Sequence, residues 1–271
     1  SEYHLGYYRL LSLTGGDRVN VIPDCARAEL IAITDPSNLR KALLEYTNKH
    51  DVSISMLESG REITLVSRGK SGHASRPEDG ENAIVNLLGF LSTIDLGTGD
   101  LPRLVTFAAE ALGASDGSGL GIKMSDEPSG ELTLNLGNIN LDEKSCRAGV
   151  DIRYPVTLKS EKILETADNR IKSIGMKREL DMHHKPLYIP KEHELVKTLC
   201  EVYRDHTGDM SEPVAMGGGT YARALKTGVA FGPVMPHMNA CEHQADEYIE
   251  IADLYICAEI YADAIKRLAC K

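Results

Sequence analysis

Apolar residues broken by single polar ones over residues 7–13, Tyr7-Tyr8-Arg9-Leu10-Leu11-Ser12-Leu13, read as a strand followed by the Gly15-Gly16 turn. Residues 18–23 and 28–33 repeat that pattern on either side of a Pro-Asp turn. The pattern then changes. Leu39, Leu43, Leu44 and Tyr46 follow helical spacing behind Asp35-Pro36, a side-chain cap with proline at the first helical position. Strands are expected at 52–57 and 62–67, joined by a turn at Ser59-Gly60, and a helix from about 81 to 91.

Residues 113–130 are rich in Gly, Ser and Asp and read as a loop. Strands at 131–136 and 148–154, a helix at 160–174 and a strand at 177–182 follow. The return of the same vocabulary suggests two similar α+β lobes. From residue 187 the texture changes, and a domain boundary is placed near 183–188. An amphipathic helix at 192–206 carries Leu195, Leu199 and Val202 on one face. Short apolar strands are expected at 213–216, leading through a glycine run into a helix at Tyr221, and at 229–233; residues 248–270 read as mostly helix. With its upstream flanking strands missing, this second α/β unit is expected to be incomplete, with edges that invite strand addition between copies.

Composition narrows the function classes. In 271 residues, 42% apolar, 40 acidic side chains against 30 basic ones leave a net charge of −10, which argues against a phosphate-neutralising nucleic-acid surface. No apolar run approaches a membrane span, and no secretory signal opens the chain. The six cysteines are scattered without a C-x-x-C pair, as expected of thiols in a reducing, cytoplasmic compartment. The chain opens on Ser1-Glu2-Tyr3-His4 without an initiator methionine, as a processed or excised piece would.

Two stretches carry candidate chemistry. His237 to Tyr248 places His243 beside a helix start, where a neutral imidazole suits a metal. Gly217-Gly218-Gly219-Thr220-Tyr221-Ala222-Arg223 sets a glycine run at an expected strand-to-helix junction, where backbone N–H groups could take an anion or a peptide carbonyl. It has neither the Walker lysine nor the dinucleotide glycine spacing.

Together with Gly16 to Asp24, Gly69 to Ala83, Gly149 to Pro155, Val229 to Pro233 and His243 to Tyr248, these segments stand in an order that resembles the family of co-catalytic zinc hydrolases containing acetylornithine deacetylase, succinyl-diaminopimelate desuccinylase and dipeptidase V, most of all the dipeptidase V branch. The resemblance implies a two-lobed α+β lid over residues 1–183, closing over a dipeptide, followed at 184–271 by the C-terminal part of an α/β zinc domain. It implies that His73 donates to the developing oxyanion, Asn20 holds substrate near the scissile amide and Arg153 pairs with the substrate's C-terminal carboxylate. Gly218, Gly219, Thr220 and Arg223 would line the pocket, and His243 would ligate zinc. Two zinc ions are implied for the complete enzyme. The family's H-x-D segment, bridging Asp and Glu-Glu pair cannot be placed in this sequence. The expectation is therefore a chain beginning at the lid, inactive by itself, with zinc weakly held or absent. An N-acyl amino acid deacylase is the alternative within the family, and a non-catalytic lid or interaction module the alternative outside it.

Overall fold

A computed structural model describes residues 4–179, 182–238 and 246–270. The chain divides into two compact units, Ser1–His183 and His184–Lys271.

In the first unit the strands are β1 (Tyr8–Gly15), β2 (Val21–Ile22), β3 (Cys25–Ala32), β4 (Ser53–Ser59), β5 (Glu62–Arg68), β6 (Gly72–His73), β7 (Ser125–Asp126), β8 (Gly130–Glu131), β9 (Thr133–Asp142) and β10 (Cys146–Arg153). The helices are α1 (Ser37–His50), α2 (Ala83–Leu91), α3 (Asp100–Leu112) and α4 (Ser160–Lys172). Six strands form one antiparallel sheet in the order β10-β9-β1-β3-β5-β4, while β2 pairs with β6 and β7 with β8.

Alternation builds the core face. Ala26, Ala28, Leu30 and Ala32 of β3 and Ile63 and Leu65 of β5 are buried, and helix residues Leu39, Leu87, Phe90, Val105 and Ile163 pack into the same cluster. The β4–β5 hairpin turns where the sequence places it, with Gly60 at φ +63° between the paired Ser59 and Glu62. Asp35 accepts from Ser37 N–H at 2.9 Å as α1 begins. Asn82 caps α2, its Oδ1 accepting from Ile84 and Val85 N–H at 3.0 and 3.2 Å.

The expected two lobes are corrected to one sheet and one core. β1 pairs with β3 on one side and β9 on the other, so the early and late strands share a ladder, and Leu134, Leu136 and Ile139 join the cluster that holds Leu30 and Leu65. β9 runs beyond the expected end at residue 136, because the ladder with β10 absorbs an irregularity between Gly149 and Val150 and continues. The strand expected at 177–182 does not form over 177–179; Arg178 instead binds Asp168 of α4 through two hydrogen bonds of 2.7 and 3.0 Å. Residues 180 and 181 lie outside the described residues. α3 falls in a stretch to which the pattern assigned nothing, although Val105, Ala108 and Leu112 recur at helical spacing and are buried.

The second unit is built on α5 (Glu194–Thr207) and α6 (Ile251–Ala269), whose contact buries Leu199, Val202, Cys257, Ile260 and Ala264 together with Met235. α5 ends on Gly208 at φ +70°, as its sequence predicts. Arg267 holds the pair together at the rim, reaching Asp205 at 2.7 Å and Asp263 at 2.6 Å. The strands expected at 213–216 and 229–233 are absent, and no strand occurs among the described residues of this unit. Val214 is 89% exposed. A four-residue apolar run becomes a strand only with a neighbour to bond, and neither run has one. The edges expected to add strands between copies are therefore not formed by these segments.

Candidate active site

The segment leading from β1 into β2 carries Asn20, and it is held by β6. Val21 pairs with His73, and Ala74 N–H donates to the Asn20 carbonyl at 3.0 Å. Asn20, in the turn just before β2, thus lies next to the ribbon in which His73 pairs with Val21. Asn20 and His73 are both exposed.

The His73 ring is oriented from its own turn. Ser75 N–H donates to Nδ1 at 3.2 Å, and Ser75 Oγ lies 2.7 Å from the same nitrogen. A nitrogen accepting from a backbone N–H carries no proton, so the neutral ring has its proton on Nε2.

Arg153 ends β10 opposite Thr133, and Asp151 stands opposite Asn135. Directly opposed residues of an antiparallel pair share a face, so Thr133, Asn135, Asp151 and Arg153 project from the same side of the sheet. The Asn135 amide on that side reaches the carbonyls of Val19 and Val21 at 2.8 and 2.9 Å. The Asn135 amide thus ties the segment that carries Asn20 to the strand pair that carries Arg153. The Arg153 guanidinium engages Asp151 through Nε at 2.9 Å and Nη2 at 3.2 Å, in an ion pair only 23% and 17% exposed. The residue read as a carboxylate receptor thus already grips a carboxylate of its own strand.

The loop below the ribbon is set by close backbone approach. A Cβ on Gly137 would lie 2.4 Å from Val19 Cα, and one on Gly16 would lie 2.0 Å from the Gly137 carbonyl oxygen. Only glycine allows β9 and the segment after β1 to come this near.

Gly218, Gly219, Thr220 and Arg223 belong to the second unit. The expected helix after them is a single 3-10 turn, Tyr221–Ala224. Arg223 folds back over the glycines, its guanidinium carbon 3.7 Å from where a Gly219 Cβ would stand. Four residues align too few peptide dipoles for the helix-end effect the sequence suggested, which corrects that part of the expectation. His243 lies outside the described residues.

Among the described residues, no three His, Cys, Asp or Glu side chains converge on a point that would hold a metal ion. The described donors thus do not fit a zinc site, and no chemical step can be assigned to one from them. Three of the described thiols are held away from the nucleophilic thiolate form. Burial pushes the Cys146, Cys200 and Cys257 thiols up, with Asp253 adding to the effect at Cys257.

Sequence reasoning missed Asn82, Asn135 and Asp151. Asp151 and Arg153 stand two apart in a strand and so were legible as neighbours on one face. Asn82 is legible only as the cap of α2, and Asn135 offers no local signal, because its partners are distant in the chain.

The model of peptidase family M20/M25/M40 matches residues 24–267, and the chain belongs to that family. It is 37% identical over 267 residues to the protein named "Putative dipeptidase YtjP" of Bacillus subtilis strain 168, and 34% and 35% identical to proteins also named as putative dipeptidases in Staphylococcus haemolyticus and Staphylococcus epidermidis. Each alignment covers 96% of this chain and 56% of the relative, so the chain spans little more than half the length of the curated relatives it matches. Among the described residues, no helix is long and apolar enough to cross a membrane.

Proposed function

We propose that this protein takes part in the hydrolysis of dipeptides, with the first unit as the lid that grips the substrate and the second as part of the zinc domain. The placement of Asn20 beside a His73 whose Nε2 carries the ring proton is the observation that supports this reading most directly. An Nε2–H group presented from an ordered turn is a suitable donor to the oxygen that gains charge when a peptide carbonyl is attacked. Asn20, whose backbone is hydrogen-bonded to Ala74 beside His73, would hold the amide.

Arg153 recognises the free carboxylate of the dipeptide. Because Asp151 occupies two of its donor positions, binding proceeds by exchange or sharing of that carboxylate, which selects for a ligand offering a planar bidentate acceptor. Zinc in this family supplies the activated water, and the described residues assign none of its ligands. Net charge and scattered thiols agree with a cytoplasmic setting.

The test is hydrolysis of unblocked dipeptides against N-acyl amino acids by the chain extended to the length of the relatives it matches, with zinc added and after chelation. Turnover of dipeptides that carry a free C-terminus, lost on amidation of that terminus, is the expected result. Preference for N-acyl amino acids, or indifference to amidation, would overturn it.

A further inference from the structure

We propose that Asn135 is a positioning residue that sets Asn20 and His73 in place for the substrate; the inference rests on the dipeptidase reading for its consequence in turnover, though not for its geometry. Asn135 is 4% exposed, one of few buried polar side chains in the first unit. Its amide nitrogen faces two carbonyls, those of Val19 and Val21 at 2.8 and 2.9 Å. Carbonyls only accept, so this end of the amide is the NH2 group and both of its protons are engaged. The two carbonyls belong to the residues on either side of Asn20. A single buried amide therefore fixes the chain before and after the residue that would hold the scissile bond.

The hold extends in both directions. On the far side, Ala74 N–H donates to the Asn20 carbonyl and Val21 pairs with His73, so whatever locates residues 19–21 also locates the imidazole. On the near side, the Asn135 oxygen accepts from Asn82 Nδ2 at 3.2 Å, and Asn82 also donates to the Leu136 carbonyl at 2.9 Å while capping α2. The N-terminus of a core helix is linked through two asparagines to the ribbon that carries His73. Since each polar atom of Asn135 is met, no other residue of its size can replace it. Asp lacks the donors when ionised, and Ser offers one donor in place of two.

The experiment uses Asn135→Asp and the milder Asn135→Ser. Amide hydrogen exchange is followed at Ala74, with the β3–β5 ladder as the internal reference, and dipeptide turnover is measured for the same substitutions in the chain extended to the length of its relatives. Ala74 exchange is expected to quicken about tenfold or more while the ladder keeps its protection. Turnover is expected to fall about 10- to 100-fold, chiefly in kcat, as a displaced catalytic constellation should. Unchanged Ala74 exchange in both variants would overturn the proposal, as would equal loss of protection along the ladder, which signals general destabilisation. Quickened Ala74 exchange with undiminished turnover would also overturn it. If the unsubstituted protein hydrolyses no dipeptide while Ala74 responds as expected, the dipeptidase reading fails and the positioning by Asn135 stands.

Discussion

Ser75 donates its backbone N–H to Nδ1 of His73 across 3.2 Å, and this bond decides which imidazole nitrogen carries the proton. The donor comes from the main chain two residues on, so it survives any side-chain substitution at Ser75 other than proline.

In the chain extended to the length of its relatives, His73→Ala is expected to lower kcat far more than it raises KM. An oxyanion donor acts in the transition state, and loss of one typically costs about 2.7–4 kcal/mol, or 10²- to 10³-fold in rate. Steady-state kinetics on a dipeptide checks this. A change confined to KM would make His73 a ground-state contact.

Arg153→Lys should weaken dipeptide binding although it keeps the charge, because an ammonium cannot present the fork that now meets Asp151. A charge-assisted pair is worth about 1.5–3 kcal/mol, so kcat/KM is expected to fall about 10- to 100-fold. Asp151→Asn should lower KM, since the competing carboxylate is removed. An unchanged KM in the Asn variant would show that substrate does not meet Arg153.

Leu65 is fully buried on β5, between β3 and β4. Leu65→Ala should cost about 2–5 kcal/mol, read as a lower denaturation midpoint in urea. A loss below about 1 kcal/mol would mean that neighbouring strands collapse into the space.

Asp126 links the β7–β8 turn to the segment after β10. Burial alone would raise its carboxyl, but hydrogen bonds from Ser129 and Thr157, through both side chains and backbone, outweigh this and bring it down to about 2. A carboxylate depressed in the folded state contributes stability that is complete above its unfolded value and is lost as pH falls through its folded value. The stability difference between the unsubstituted protein and Asp126→Asn should therefore hold above about pH 5 and shrink steadily towards pH 2. Urea denaturation at stepped pH measures it, and a difference independent of pH would assign the contribution to shape alone.

Local pattern determined a good part of this molecule. The alternation in β3 and β5, the Gly60 turn between β4 and β5, the capped helices α1 and α2 and the two long helices α5 and α6 are all legible along the chain, because each depends on residues a few positions apart. The ordered motifs also carried the family, which the match over residues 24–267 bears out. Tertiary structure alone decided the rest. Whether β1 divides two lobes or joins them depends on its pairing with β9, more than 120 residues later, and no periodicity encodes a partner. The runs at 213–216 and 229–233 have strand-like composition and no strand to bond. Asn135 reads in sequence as an unremarkable polar break in an apolar strand. Its two carbonyl partners are 116 and 114 residues away, and only the folded chain brings them within hydrogen-bond distance, where a buried amide is stable because each of its polar atoms is met.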